Sequence, residues 1–374
     1  MATWIRTEAQ LDDLVDELSR VRAIGLDTEA DSLHHYTEKV CLIQVSAHGG
    51  GSWLVDPLAL PDLTPLAPLL ADPSIVKVVH GGENDVMSLR RDFGFGFETL
   101  FDTAIAARLL GDREVGLQAL VRNELGLELD KGSQRDDWSR RPLTAKQEAY
   151  ALGDVAHLMA LATRLTARLA AAGRTEWARE EFAALAELPP AEKRSGPDEF
   201  RRIKGSSALS PRKQAVLREL HQWREARAAE ADRPPFKIVG SEVLLALADA
   251  LPEHLDEVER VLARYPRAAR EADLVLDAIE RGLDLPDNEL PVKPRNERPR
   301  RSQATLERVD ALRAWRVAEA ERSGLDVSIV MPQRLLERIA DAGPETLDEL
   351  AAVDGVRRWR VSAWGPALLT ALDA

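Results

Sequence analysis

Residues 23–29, AIGLDTE, decide how the N-terminal half of the chain is interpreted. The apolar run 23–26 predicts a buried strand, and two acidic residues follow it with one residue between them. Because successive side chains of a strand point to opposite faces, Asp27 and Glu29 share a face. Two carboxylates placed this close repel each other unless a cation lies between them. A solvated loop is the alternative, because Asp-x-Glu is a common tripeptide.

Similar apolar runs predict further strands at residues 40–45, 52–55 and 76–79. The connections between the first three strands are too short for crossover helices, so these strands should be antiparallel neighbours. Helical spacing of apolar residues follows near residues 82–92, 99–110, 115–125 and 144–172. We therefore expect a mixed α/β domain.

A third acidic residue follows the strand predicted at 76–79. Residues 80–85 read HGGEND, so a Gly-Gly turn precedes Asp85 in the opening turns of a helix. A carboxylate at this position also favours the helix dipole, and Asp85 alone could be a structural cap. Glu83 and Asn84 are alternatives to Asp85 as the acting residue.

The fourth acidic residue lies inside a long helical pattern, where Tyr150 and Asp154 are four positions apart. Residues at this spacing share a helix face, so the phenol and the carboxylate point the same way. Asp154 has apolar neighbours, and a carboxylate there is costly unless it is exposed or paired. The alternative is that Asp154 marks the edge of the buried face and Tyr150 packs in the core.

Taken in order, Asp-x-Glu, then Asp, then Tyr-x-x-x-Asp resembles the DEDD exonuclease superfamily in its tyrosine subgroup. The ribonuclease D family is the closer match, and residues 39–44 (KVCLIQ), 101–103 (FDT) and 131–143 are similar to it as well. The resemblance implies a ribonuclease H-like exonuclease domain with a mixed sheet, followed by two all-α helical domains. These tail domains resemble helicase-and-RNase-D C-terminal (HRDC) domains.

The same resemblance implies the chemistry of the site. The catalytic residues would be Asp27, Glu29, Asp85, Tyr150 and Asp154, with the four carboxylates holding two divalent ions. Oxygen ligands without cysteine or a histidine-rich set favour Mg²⁺ or Mn²⁺ over Zn²⁺. Tyr150 would orient the attacking water, and nucleoside 5′-monophosphates would leave from a free 3′ end.

Weaker candidates for substrate contacts come from the segments around these motifs: His80, Gln134, Trp138 and Arg141. His80 at a strand end has a structural alternative, and Trp138 could stack on a base or be buried. The pair Arg135-Asp136 departs from the family, which tends to have a small polar residue before Asp-Trp. That departure concerns the substrate contacts of this segment and not the carboxylates.

Beyond about residue 190 the strand pattern stops and an internal repeat appears. Trp223-Arg224 recurs as Trp315-Arg316 at an offset of 92, and the pattern PExLDE at 252–257 recurs at 344–349 with the same offset. We predict an exonuclease domain over 1–190, helical domains over 207–285 and 304–374, and basic linkers at 191–206 and 286–303. The second copy matches the HRDC pattern more loosely than the first.

Composition and charge limit the classes of protein to which this chain can belong. The 374 residues carry a net charge of −13, which argues against nonspecific coating of nucleic acid. Basic residues cluster locally at 193–213 and 291–301, where RNA contacts and solvated linkers are both possible. Cys41 is the single cysteine, so no intrachain disulfide forms. Without a signal peptide or an apolar run long enough for a membrane helix, we expect a cytoplasmic protein with no membrane partner.

The resemblance implies an exoribonuclease that acts on RNA 3′ ends, with tRNA precursors as substrates. A 3′→5′ DNA exonuclease would use the same carboxylates, since no residue can be assigned to reading the 2′-hydroxyl. A non-catalytic RNA-binding protein on the same fold is the other alternative, although it would gain nothing from clustered like charges. The lack of a Walker-type G-x-x-x-x-G-K-[ST] motif excludes a helicase, and we expect no nucleotide cofactor.

Overall fold

A mixed six-stranded sheet organises the N-terminal half of the chain. The structure is a computed structural model that describes residues 3–129, 132–192, 196, 198–291 and 301–373. Its strands are β1 (Thr3–Ile5), β2 (Ala23–Ala30), β3 (Val40–Ala47), β4 (Ser52–Val55), β5 (Val76–Val79) and β6 (Leu100–Asp102). Their order across the sheet is β1-β4-β3-β2-β5-β6.

Strand directions follow from the lengths of the connections. β1 is parallel to β4, and β2 and β6 are both parallel to β5. β3 and β4 are antiparallel. β2 and β3 are antiparallel as well, since the His48 N–H donates to Ala23 O and Gly25 lies against Ser46. The expectation that the strands beginning at 23, 40 and 52 are antiparallel neighbours is confirmed.

Eight helices accompany the sheet in the described part of residues 1–190. They are α1 (Glu8–Leu18), α2 (Leu66–Ala71), α3 (Glu83–Phe93), α4 (Thr103–Leu110), α5 (Leu117–Leu120), α6 (Ala145–Ala156), α7 (Leu158–Ala171) and α8 (Thr175–Ala186). A π-helical turn at Val121–Leu125 continues α5. One face of the sheet packs against α1, α2 and α3. The other face lies under α6 and α7.

Two expectations for this half were incomplete. The pattern at 99–110 was predicted as one helix, but its first part is β6, which pairs with β5 before α4 begins. The pattern at 144–172 is divided into α6 and α7 at His157. β1 was not predicted, because three residues are too few to display an alternating pattern.

The C-terminal half is helical, with no strand among its described residues. The first helical repeat consists of α9 (Pro211–Glu230), α10 (Ser241–Ala250), α11 (Leu255–Leu262), α12 (Pro266–Ala269) and α13 (Ala272–Asp284). The second helical repeat consists of α14 (Gln303–Ser323), α15 (Val327–Val330), α16 (Gln333–Ala342), α17 (Leu347–Ala352) and α18 (Arg358–Leu372). The predicted fold class, an α/β domain with a mixed sheet followed by two all-α domains, is confirmed.

Packing divides the described chain into two compact units that do not follow the order of the sequence. One unit contains the described residues of 1–29, 40–191 and 299–374, and so joins the sheet domain to the second helical repeat. The other contains those of 30–39 and 192–298, and so joins the first helical repeat to the segment that follows β2. The domain boundaries given above stay predictions.

Within the first of these units, the second helical repeat packs on α8. The Trp177 ring of α8 stacks on Trp359 of α18 at a centroid distance of 4.4 Å. The Glu180 carboxylate accepts hydrogen bonds from the backbone N–H groups of Arg358 and Trp359 at 2.8 and 2.9 Å. The start of α18 is therefore capped by a side chain from another domain.

Within the described residues, no helix is long and apolar enough to span a membrane.

Candidate active site

The site begins on β2, which runs further than the apolar sequence suggested. β2 continues through Asp27-Thr28-Glu29 to Ala30, so the two carboxylates lie on the strand itself. Gly25 lies on the face under α6 and α7, because a Cβ there would meet Leu158 and Met159 of α7. By alternation, Asp27 and Glu29 point to that same face. The prediction that Asp27 and Glu29 share a face is therefore confirmed.

Asp85 lies in the first turn of α3 and is buried. The Thr28 hydroxyl donates a hydrogen bond to its Oδ1 atom, which links α3 directly to β2. Asp102, at the end of β6, accepts hydrogen bonds from the N–H groups of Gly81 and Gly82 at 3.1 and 2.8 Å. Asp102 therefore stabilises the Gly81-Gly82 turn, which precedes Asp85 in the chain.

Asp102 lies in the FDT segment and was not predicted to have a role of its own. The same carboxylate accepts from the N–H groups of Ala104 and Ile105, so it also caps α4. An acidic residue directly before a helical pattern is a known N-cap signal and could have identified that second function. Its bond to the Gly-Gly turn depends on β5 and β6 being neighbours and has no local signal.

Tyr150 and Asp154 are carried by α6. The helix starts at a capping box in which Thr144 and Gln147 satisfy each other's backbone N–H groups. Its Trp4–Glu148 hydrogen bond of 3.0 Å and the packing of Ala151 fix it over β3 and β4. The Tyr150 hydroxyl lies close enough to the Asp154 carboxylate to lower the pKa of that carboxyl, so the two side chains share a helix face as predicted.

Carboxylates from three distant stretches of the chain lie close together, and two of these stretches supply a group that could hold one cation. Carboxylate oxygens of Asp27, Glu29 and Asp154 all lie within 4.8 Å of one another. This spacing lets three carboxylates contact a single divalent cation, and the ligand set consists of hard oxygen atoms only. The donor set therefore fits Mg²⁺ or Mn²⁺, and Asp85 lies close enough to raise the pKa of Asp27 by charge repulsion.

Burial is the largest cause that raises the pKa of each of these four carboxylates. Repulsion by neighbours in the cluster adds to it for Asp27, Glu29 and Asp154, and repulsion by Asp102 adds to it for Asp85. The pKa of Glu29 rises to about 9, that of Asp154 to about 7 and that of Asp85 to about 6. The pKa of Asp27 is raised well above its ordinary value. A divalent cation among these oxygens would favour the ionised forms and reverse the shifts.

Comparisons with known proteins agree with this geometry. A family model described as a 3′-5′ exonuclease matches residues 2–170, and the HRDC domain model matches residues 213–279 and 305–372. Ribonuclease D of Pseudomonas paraeruginosa is 34% identical over 99% of this chain and 97% of its own length. The chain belongs to the ribonuclease D family. Like that family, it is a hydrolytic exoribonuclease that degrades from 3′ ends.

Two solved structures and a further curated relative are also similar to this chain. The chain matches Escherichia coli RNase D with a TM-score of 0.72 and 26% identity, over 100% of this chain and 99% of the other. The catalytic core of RRP6 from Trypanosoma brucei matches with a TM-score of 0.67 and 28% identity, over 76% of this chain and 80% of the other. Ribonuclease D of Gluconacetobacter diazotrophicus is 32% identical over 99% of this chain and 92% of its own length.

The weaker candidates for substrate contacts in this ribonuclease D site lie in different surroundings. Trp138 is 1% exposed and packs beside Tyr150, so its ring has no free face on which a base could stack. Arg141 binds Asp56 through two hydrogen bonds of 2.7 Å and also donates to Cys41 O. The positions of both side chains support structural roles, and their contacts with substrate stay predictions.

The remaining two candidates differ from each other. The His80 Nδ1 atom lies 2.9 Å from the Thr103 hydroxyl, and burial lowers the pKa of His80. A neutral, hydrogen-bonded imidazole fits the structural interpretation of His80. Gln134 is exposed and stays a predicted substrate contact. Lys131 of the same segment lies outside the described residues.

The basic stretches offer less free charge than their sequences suggested. Arg212 and Lys213 form ion pairs with Asp287 and Asp249, and Arg301 pairs with Asp341 at 2.7 Å. Several other basic residues of these stretches lie outside the described part of the chain: Lys193, Arg194, Lys293, Arg295, Arg298 and Arg300. The ion pairs of Arg212, Lys213 and Arg301 support a structural role for these side chains.

Proposed function

We propose that the chain removes nucleoside 5′-monophosphates one at a time from the 3′ ends of structured RNAs, tRNA precursors among them, using two divalent ions. The observation that carries this proposal is the convergence of Asp27, Glu29 and Asp154 within 4.8 Å, with Asp85 and Tyr150 beside them. Asp27, Glu29 and Asp154 would hold one ion, and Asp27 with Asp85 the other. When bound, a pair of Mg²⁺ or Mn²⁺ ions activates water and stabilises the charge that develops on the phosphodiester.

Other side chains orient the metal ligands and the attacking water. Asp85 is aligned by Thr28, and Asp154 by the Tyr150 hydroxyl. Burial and the charge of Asp154 raise the pKa of Tyr150, so its phenol stays protonated at neutral pH. A protonated phenol can hold and orient the attacking water by a hydrogen bond but cannot take its proton. Tyr150 is therefore a positioning group for the nucleophile.

The RNA class rests on relatives. Escherichia coli RNase D is described as an exoribonuclease involved in structured RNA processing, and this chain matches it over its full length. Tail domains that contact the folded body of an RNA would raise the local concentration of its 3′ end at the active site. A 3′→5′ DNA exonuclease stays the alternative that the same assay must test.

Matched RNA and DNA oligonucleotides, labelled at either end, test the activity with Mg²⁺, Mn²⁺ or chelator. We expect stepwise shortening from the RNA 3′ end and none in chelator. Asp27→Asn and Asp154→Asn should each lose more than about 100-fold of the rate, since even outer-shell changes at metal sites cost 10- to 100-fold. Tyr150→Phe should lower kcat more than it raises KM.

Asp62→Asn is the matched control, because Asp62 is an exposed carboxylate that bonds only Thr64 among the described residues. Its rate should equal that of the unmodified chain. Full activity of Asp154→Asn, or activity in chelator, would refute the metal assignment. Faster cleavage of DNA than of RNA would favour the alternative.

A further inference from the structure

Gln44 is a buried amide that the proposed chemistry does not use. Its side chain is 0% exposed on β3. Neither its Oε1 nor its Nε2 atom has a hydrogen-bond partner among the residues that the structure describes. Buried amides are nearly always hydrogen-bonded, because an unpaired one loses its bonds to water without replacement. An unpaired glutamine in a sheet interior therefore calls for a specific explanation.

The strand register places Gln44 beside Asp27. The His48 N–H donates to Ala23 O, and a Cβ on Gly25 would meet the Ser46 Oγ atom. In antiparallel strands each step forward on β2 is a step back on β3, so Asp27 lies opposite Gln44. Directly opposed residues have Cβ atoms about 4.5–5.5 Å apart.

Both side chains also point to the same face of the sheet. Ser46 donates its hydroxyl to Val155 O of α6 at 2.9 Å, which identifies the face of β3 that lies under α6. Gln44 is two residues from Ser46 and so shares that face. Ser46 has its partner in α6, whereas the polar group nearest to Gln44 by register is the Asp27 carboxylate.

We propose that Gln44 is a positioning residue for the metal ligand Asp27, which is an inference that rests on the proposed function. Its Nε2 group would donate to the Asp27 carboxylate when metal is bound, and this bond would fix the orientation of the carboxylate as a ligand. The amide suits this role because it donates a hydrogen bond without adding charge to a crowded acidic site. Outer-shell donors of this kind orient metal ligands in many proteins.

Gln44→Met tests the proposal, since methionine keeps the length and shape of the side chain and removes its hydrogen bonds. Mn²⁺ binding is measured by calorimetry, Mg²⁺ activation by RNA cleavage, and stability by thermal denaturation in chelator. We expect Mn²⁺ affinity to fall about 10- to 100-fold and half-maximal activation to need correspondingly more Mg²⁺. The KM for RNA should stay within about twofold, since only the ligand geometry changes.

Stability in chelator separates positioning from packing. Gln44→Met should melt at or above the temperature of the unmodified chain, because an unpaired buried amide has been removed. Ser46→Ala is the matched control on the same strand and face. It loses a satisfied hydrogen bond, so it should melt lower and keep its Mn²⁺ affinity.

Two results would overturn the role of Gln44. One is an Mn²⁺ affinity of Gln44→Met within twofold of the unmodified chain. The other is a loss of stability in chelator greater than that of Ser46→Ala, in Gln44→Met and in Gln44→Leu alike, which would assign Gln44 to packing. If the unmodified chain itself neither binds Mn²⁺ nor cleaves RNA, the proposed function fails instead.

Discussion

The two helical repeats share sequence landmarks but bury their apolar surfaces differently. The first repeat closes a core of its own around Leu220, Trp223 and Ile279, all of them buried. The second repeat shares one core with α4, α5, α7 and α8 of the exonuclease domain. Repetition of a sequence pattern therefore predicts the fold of each copy and leaves its packing partner undetermined.

The difference arises from residues outside the repeated landmarks. In the second repeat, Trp359 and Trp364 surround Trp177 of α8. Glu181 of α8 accepts hydrogen bonds from the Trp359 indole and from Arg360, both at 2.9 Å. Domains that share a core in this way are expected to act as one rigid body.

The first repeat has a different neighbour in its compact unit, the segment 30–39. Asp232 accepts a hydrogen bond from the Tyr36 N–H at 3.2 Å and lies 2.7 Å from the His35 Nδ1 atom. These bonds are exposed and polar, and such contacts contribute little to stability. The first repeat should therefore fold without the rest of the chain, and the second should not.

Expressing each repeat alone tests most directly whether the two repeats differ in their ability to fold independently. Residues 198–291 should give a cooperative thermal transition, since their core is closed. Residues 301–373 should lack one, because Trp359 and Trp364 lose the partners that bury them, at about 1.5–3 kcal/mol for each large side chain. Circular dichroism and calorimetry measure both. A cooperative transition in the isolated second repeat would mean that its packing on α8 is not required for folding.

A smaller effect should follow from Glu181→Ala. Arg360 is 7% exposed, and removing Glu181 leaves its buried charge without a carboxylate partner. Such a loss costs about 3 kcal/mol. Chemical denaturation of the whole chain measures it. Glu176→Ala, which breaks only the exposed pair with Arg179, is the control and should change stability by less than about 0.5 kcal/mol.

The smallest predicted effect concerns pH. Burial, with the charge of Arg224, lowers the pKa of His221 in the first repeat. Because the folded state disfavours protonation, the stability of this repeat is fully present above pH ~6.5 and falls as the pH drops below that value. The second repeat has Arg313 in place of a histidine at the corresponding position. Its stability should lack this dependence.

Hydrogen exchange followed by mass spectrometry can resolve the two repeats within the intact chain. Protection should decrease between pH 7.5 and 5.5, after correction for the intrinsic exchange rate, in α9 more than in α14. His221→Gln should remove the difference. Equal loss of protection in both repeats would show that His221 is not its source.

Sequence patterns alone predicted the strands that begin at 40, 52 and 76 and the two helical repeats, and they singled out the carboxylates and the tyrosine. Local rules suffice for these features, because alternation orients Asp27 and Glu29, and helical spacing orients Tyr150 and Asp154. The order of these motifs then pointed to the family, and the comparisons confirm the family.

Packing between residues far apart in the sequence is seen in the folded protein and was not predicted. It buried Trp138 and paired Arg141 with Asp56, and it placed Asp102 on the turn before Asp85. It also placed Gln44 opposite Asp27 and the second repeat on α8. Whether a side chain is buried, and which group it bonds, depends on the residues that face it from another strand or domain. The residues next to it in the sequence do not determine either.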